Sequence, residues 1–264
     1  MSEPTVKLTI EGNVAIIRLN RPQVYNAIND QMSRELIEVL KETGENQEVR
    51  AVVLTGEGKA FCSGQDLGDR TVVQKQEKPL SLGESVRTRY NPMVLAITGM
   101  KKPVVAAVNG VAAGAGCSLA LACDFRFITP KTRFIEAFAR IGLSLDSGSS
   151  YFLPRLVGLE KALEIAMTGR EVNAEEALQI GLASRMVESD KLQEEAFAFA
   201  RNLAKGPTIG LGLIKQTIYQ AMECTLSEAL ENEAIAQETA GKTRDFREGV
   251  QAFIEKRKPD FEGK

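Results

Sequence analysis

Val104 to Gly158 reads VVAAVNGVAAGAGCSLALACDFRFITPKTRFIEAFARIGLSLDSGSSYFLPRLVG. Its first five residues are β-branched or small and apolar, as in a buried strand, and Asn109-Gly110 ends them. Gly114-Ala115-Gly116 follows as a small-residue turn and opens an apolar segment of helical character, Cys117 to Cys123. At such a strand-to-helix turn the first N–H groups of the helix lie uncovered, and the helix dipole puts its positive end there. The place suits a phosphate, a carboxylate or a transient oxyanion. Asp146 is the only carboxylate between Gly142 and Leu159, in a segment otherwise mostly apolar or small. An anion trap with one carboxylate nearby is the equipment for moving a proton beside a carbonyl. The same residues also allow a blander role: the turn can serve close packing alone, and Asp146 can cap a helix from Ser147 to Leu156.

Upstream, Val6 to Ile10 and Val14 to Leu19 flank Glu11-Gly12-Asn13 and predict a β-hairpin, stopped at Asn20-Arg21-Pro22. Asn29 or Asp30 caps a helix with Met32, Leu36, Val39 and Leu40 on its apolar face. Ala51 to Leu54 reads as a short buried strand. Gly56-Glu57-Gly58-Lys59 has neither the glycine spacing nor the following residue of a phosphate-binding P-loop. Ala60 to Leu67 is a compact turn, 68–79 a polar mobile loop near the site, and Leu82 to Ile97 a helix kinked at Pro92. Downstream, helices are expected at Leu159–Met167, after the cap Asn173, and at Leu192–Ala204, Thr208–Met222, Leu226–Thr239 and Arg244–Lys256. Short strands separated by helices suggest stacked ββα turns over residues 1–191. Residues 192–264 form a helical assembly region.

Composition narrows the chemistry. The 264 residues contain no histidine, which removes Ser-His-Asp and Cys-His catalysis, His-ligated zinc and imidazole acid–base work together. A net charge of −2 provides no basic face for nucleic acid or an anionic membrane. Four cysteines lack paired CxxC spacing, and the N-terminus lacks the basic and long apolar regions of a signal peptide. Without a membrane-length apolar run either, a cytoplasmic protein with reduced core cysteines is expected.

The order of motifs resembles the crotonase superfamily, the enoyl-CoA hydratases and isomerases, over essentially the whole chain. The matching stretches are Asn20-Arg21-Pro22 with Asn26-Ala27, Ala60-Phe61-Cys62-Ser63-Gly64-Gln65-Asp66-Leu67, Pro103 to Gly116, Asp146 to Gly158, Thr168-Gly169 and Glu255-Lys256-Arg257. The resemblance implies an α/β fold, a ββα spiral core with a C-terminal helical region that builds trimers or hexamers made of two trimers, and an acyl-CoA thioester as substrate. CoA then arrives with the substrate, no separate cofactor or metal is called for, and the adenine lies near Phe61 to Leu67. By position the oxyanion hole falls on the backbone N–H groups of Gln65 and Ala115. Ser63, Asp66, Leu67, Ser118 and Phe138 fall around the substrate, and Phe261 reaches a neighbour's CoA site.

The departures select a subclass. Hydratases of the family carry two glutamates, at the positions held here by Ser118 and Phe138. Asp146, in Leu143-Ser144-Leu145-Asp146-Ser147-Gly148, instead matches the single aspartate of the phenylacetate-pathway ring-epoxide isomerases. Those convert epoxyphenylacetyl-CoA to the oxepin and also shift enoyl-CoA double bonds. The resemblance therefore implies an acyl-CoA isomerase with Asp146 as base, its pKa raised by burial among Leu143, Leu145 and Phe138. Glu136 is the rival base, though it can equally face solvent or pair with Arg133 or Arg140. An enoyl-CoA hydratase of altered chemistry and a non-catalytic crotonase-like binding protein are the alternatives.

Overall fold

The computed structural model describes residues 3–68 and 81–264. The expected polar loop therefore lies outside the described residues from position 69 onward. Strand β1 (Val6–Glu11) pairs antiparallel with β2 (Val14–Leu19), in the register Val6 to Leu19 and Glu11 to Val14. From β2 the sheet continues in parallel through β3 (Ala51–Gly56), β5 (Val104–Val108), β7 (Phe125–Ile128) and β10 (Arg185–Met186). A second, four-stranded sheet contains β4 (Ala60–Cys62), β6 (Val111–Ala113), β8 (Arg133–Ile135) and β9 (Glu171–Asn173). Each step β3–β4, β5–β6 and β7–β8 passes from the large sheet to the small one through a tight turn, and helical segments return the chain. That is the expected ββα spiral.

The period of the strands divides the interior in two. Ala15, Ile17, Leu19, Val52, Leu54, Val104, Ala106 and Val108 point into the main core between the sheets and helices. Their neighbours Val14, Ile16, Ala51, Val53, Val105, Ala107 and Phe127 point to the other face. Helix Leu192–Ala204 covers that face with Leu192, Ala196, Ala200 and Ala204, one small residue every turn or so. The first helix beyond position 191 is thus part of the core packing, because it lays its buried side chains on the outer face of the large sheet.

Three local features follow from the sequence. Helix α1 (Asp30–Glu45) is capped by Asn29, whose side chain accepts from Met32 N at 2.9 Å. Helix Ala174–Gln179 is capped in the same way by Asn173. Helical segment α2 comprises Leu82–Ser85, a π turn Val86–Tyr90 and Asn91–Gly99. Pro92 cannot donate to a carbonyl in the preceding turn, and the wider π turn is where the helix absorbs that loss.

Candidate active site

Helix α3 (Ala115–Ala122) starts immediately after β6, and its first turn presses on β4. A Cβ on Gly116 would stand 2.2 Å from the Cys62 carbonyl oxygen, so only glycine permits the contact. Gly64 packs from the other side: its φ is +89°, and a Cβ there would lie 2.7 Å from Ala113 O and 3.5 Å from Ala115 N. Gly64 O and Asp66 N are both engaged by Ile28, at 2.7 and 2.9 Å, in an isolated parallel bridge. In such a bridge the central residue turns its own N–H and C=O to the opposite side, so those of Gln65 face away from Ile28. The Ala115 N–H is the first of its helix and has no intrahelical acceptor.

Gln65 and Ala115 line one cavity of about 210 Å³ together with Asp146, Phe138, Leu143 and Tyr90. Ser63 and Leu67 lie on its wall, and Arg140 and Ile141, both exposed, stand at its rim. Asp146 is the one carboxylate among the described lining residues.

Asp146 does not cap the helix that follows it. Ser147 and Gly148 adopt φ of +53° and +85°, and this left-handed pair delays helix α4 to Ser149–Val157. The Asp146 carboxylate accepts from Ser147 Oγ at 2.7 Å, and its backbone carbonyl accepts from Ser149 N at 3.1 Å. Its surroundings are wetter than expected: Leu143, Leu145 and Asp146 are all half-buried, and Phe138 alone of that group is buried.

The carboxylate that is deeply buried is Glu136, with 1% exposure. It neither faces solvent nor pairs with Arg133, which donates to the Pro130 and Thr132 carbonyls. Glu136 lies behind α3, off the cavity, and its Oε1 accepts from Ser149 Oγ at 2.9 Å. Burial pushes its carboxyl up to about 7; hydrogen bonds from Ser149 and Cys117 oppose this and the charge of Asp146 adds to it.

Several residues expected around the substrate have partners within the chain. Phe61 is fully buried in the main core, so its ring is a packing element of β4. Asp66 turns to Arg21, at 2.8 Å, and accepts from Gly68 N at 3.1 Å. Ser118 is fully buried and lies 2.7 Å from Ser149 Oγ. Phe261 rests over Gly249 of its own chain, with its carbonyl bound by Arg50 at 2.9 Å. Tyr90 is a further residue of the site: its hydroxyl donates to Gln65 Oε1 at 2.6 Å from inside the cavity. The signal available was Pro92, since π turns beside a helical proline occur often at functional sites.

This architecture carries the comparison with known proteins. The family model for enoyl-CoA hydratase/isomerase matches residues 9–264. The chain belongs to that family. It is 43% identical to a 1,2-epoxyphenylacetyl-CoA isomerase of Escherichia coli, over 97% of both chains. It is 42% identical to a probable enoyl-CoA hydratase of Rhodobacter capsulatus over the full length of each. Among solved structures, an enoyl-CoA hydratase from Bacillus anthracis superposes with a TM-score of 0.92 at 31% identity, covering 98% of this chain and all of that one. Enoyl-CoA hydratase/isomerase relatives at similar identity thus carry both activity names. The distinction has to come from the side chains in the cavity.

Proposed function

We propose that the protein is an acyl-CoA isomerase, with Asp146 as the base and the N–H groups of Gln65 and Ala115 as the oxyanion hole. The observation that carries this reading is the cavity itself, in which these three residues meet and Asp146 is the one described carboxylate. The thioester oxygen accepts both hydrogen bonds, which strengthen as negative charge develops on it. Asp146 then takes a carbon-bound proton from the acyl group and returns it at another carbon, leaving atoms and charge unchanged overall. Where the acyl group carries a ring epoxide, the same anion drives opening of a C–O bond. Proton transfer of this kind needs no metal or redox group.

Hydration makes a further demand: a held water and a proton donor. Neither Ser118, buried against Ser149, nor Phe138 supplies a carboxylate where the hydratases carry theirs. The substrate class we favour is an epoxyphenylacetyl-CoA or a 3-enoyl-CoA, in line with the name of the E. coli relative. A homotrimer, or two stacked trimers, is the assembly we favour. Helices Thr208–Ala221, Leu226–Gly241 and Arg244–Ile254 leave Ile214, Ile218, Leu226, Leu230 and Phe253 exposed, and helix Leu226–Gly241 buries no residue within the chain.

Heavy-water exchange and product analysis test the reading. With a 3-enoyl-CoA the protein should catalyse double-bond migration or deuterium incorporation, and Asp146→Asn should remove it while acyl-CoA binding stays within about tenfold. Crotonyl-CoA hydration should be slower by at least about a hundredfold. Accumulation of 3-hydroxybutyryl-CoA as fast as any isomerised product would make the protein a hydratase.

A further inference from the structure

Behind the oxyanion helix runs a line of buried polar groups that the mechanism leaves unused. Glu136 Oε1 accepts from Ser149 Oγ at 2.9 Å, and Ser149 Oγ lies 2.7 Å from Ser118 Oγ. Ser118 Oγ in turn reaches the backbone carbonyl of Asp146 at 3.3 Å and that of Gly114 at 3.2 Å. Glu136, Ser149 and Ser118 are all buried, and the Glu136 carboxylate meets the Ser149 hydroxyl and the weakly bonding Cys117 thiol. The line therefore starts at a carboxyl group and ends on the backbone of the base and of the residue preceding Ala115.

We propose that Glu136 is a positioning residue for Asp146, acting through the Ser149–Ser118 hydroxyl pair and through its own charge. The proposal rests on Asp146 being the base.

Each serine hydroxyl has one proton to place. With Glu136 ionised, Ser149 donates to Oε1 and Ser118 donates to Ser149, so the protons of the line point toward Glu136. With Glu136 neutral, its proton on Oε1 finds its strong acceptor at Ser149, the Cys117 thiol being a weak one. Ser149 then donates to Ser118, and Ser118 donates to the carbonyl of Asp146 or Gly114. Loss or gain of one proton at Glu136 thus reverses the line and alters what the Asp146 and Gly114 carbonyls accept. The charge acts in the same sense: an ionised Glu136 raises the proton affinity of Asp146 and makes it the stronger base.

The other groups against Glu136 do not override this. The Cys117 thiol of α3 is pushed well above its usual range, by burial first and by Glu136 second, and stays protonated. Arg126 acts on Cys117 from beyond it. The Arg140 stem and the Glu136 backbone carbonyl both crowd Gly169, and among the described residues no cation forms an ion pair with the Glu136 carboxylate. Burial with the nearby Asp146 charge holds the Glu136 carboxyl up to about 7, inside the range where an enzyme assay can titrate it.

The test is the pH dependence of kcat for 3-enoyl-CoA isomerisation in wild type and Glu136→Gln, which keeps the shape and removes the ionisation. Wild type should pass between two plateaus near pH 7, the alkaline one higher. Glu136→Gln should stay on the lower plateau, about threefold down, with KM unchanged, because coupling between the two carboxylates passes only partly into the rate. An unchanged step in Glu136→Gln overturns the proposal. A second readout needs no turnover. Difference infrared spectroscopy of the buried carboxylic acid should show its titration midpoint falling in Asp146→Asn, since coupling between two sites is reciprocal. A midpoint that does not move also overturns it. Full turnover by Asp146→Asn would instead remove the base assignment, whatever the infrared midpoint shows.

Discussion

Gly116→Ala places a methyl group where the structure has no room for one. The new Cβ would stand 2.2 Å from the Cys62 carbonyl oxygen and 2.8 Å from Cys62 Cβ, whereas ordinary contact begins at 3.4 Å. The first turn of α3 must therefore retreat from β4 by about an ångström, since backbone on both sides leaves no flexible side chain to yield. Ala115 is the adjacent residue, and its N–H moves with that turn. A misplacement of about 1 Å at a reacting centre costs on the order of a hundredfold, and loss of one oxyanion donor costs about a hundred- to a thousandfold. We expect kcat/KM for 3-enoyl-CoA isomerisation to fall by about a hundredfold, with kcat carrying most of the loss. Overpacking should also lower stability by about 1–3 kcal/mol, read as a shift in urea midpoint. Gly99→Ala is the control, because a Cβ there meets nothing within 4 Å. A Gly116→Ala enzyme with wild-type kcat would refute the placement of Ala115 as an oxyanion donor.

Further substitutions test a buried ion pair and the Tyr90 contact in the site. Lys215→Met should destabilise the fold by about 3–5 kcal/mol in urea titration, because Lys215 Nζ pairs with the largely buried Asp124 at 2.9 Å and its loss strands that charge. Adding Asp124→Asn should recover most of the loss; a single variant as stable as wild type would show that the pair contributes nothing. Tyr90→Phe removes the hydroxyl that holds Gln65 Oε1 at 2.6 Å, and kcat/KM should fall by about fivefold, the worth of one ordinary hydrogen bond of about 1 kcal/mol. An unchanged kcat/KM would mean that the Tyr90 hydroxyl does not help to place Gln65 for catalysis.

Local chemistry was legible in the chain. The hairpin at Glu11-Gly12-Asn13, the caps at Asn29 and Asn173 and the apolar strand Val104–Val108 depend on residues within a few positions of one another. So did the small-residue turn that opens α3, and the absence of histidine that narrows the possible bases to a few residue types. The short strands β4, β6, β8 and β9 were not legible, because three residues carry too little periodicity and gain their hydrogen bonds only from distant partners.

What the sequence by itself determined is the inventory: strands alternating with helices, the small-residue turn that opens α3, one aspartate among small and apolar neighbours, and serine and phenylalanine rather than glutamate at Ser118 and Phe138. Only the tertiary structure decided which carboxylate shares a cavity with Gln65 and Ala115. Asp146 and Glu136 are ten positions apart and both plausible as bases. The left-handed pair Ser147-Gly148 frees Asp146 from capping and leaves it on the cavity, while packing of Ser149 and Ser118 closes Glu136 behind α3. Burial and proximity of this kind arise from segments far apart in the chain, so they are properties of packing and cannot be read from spacing.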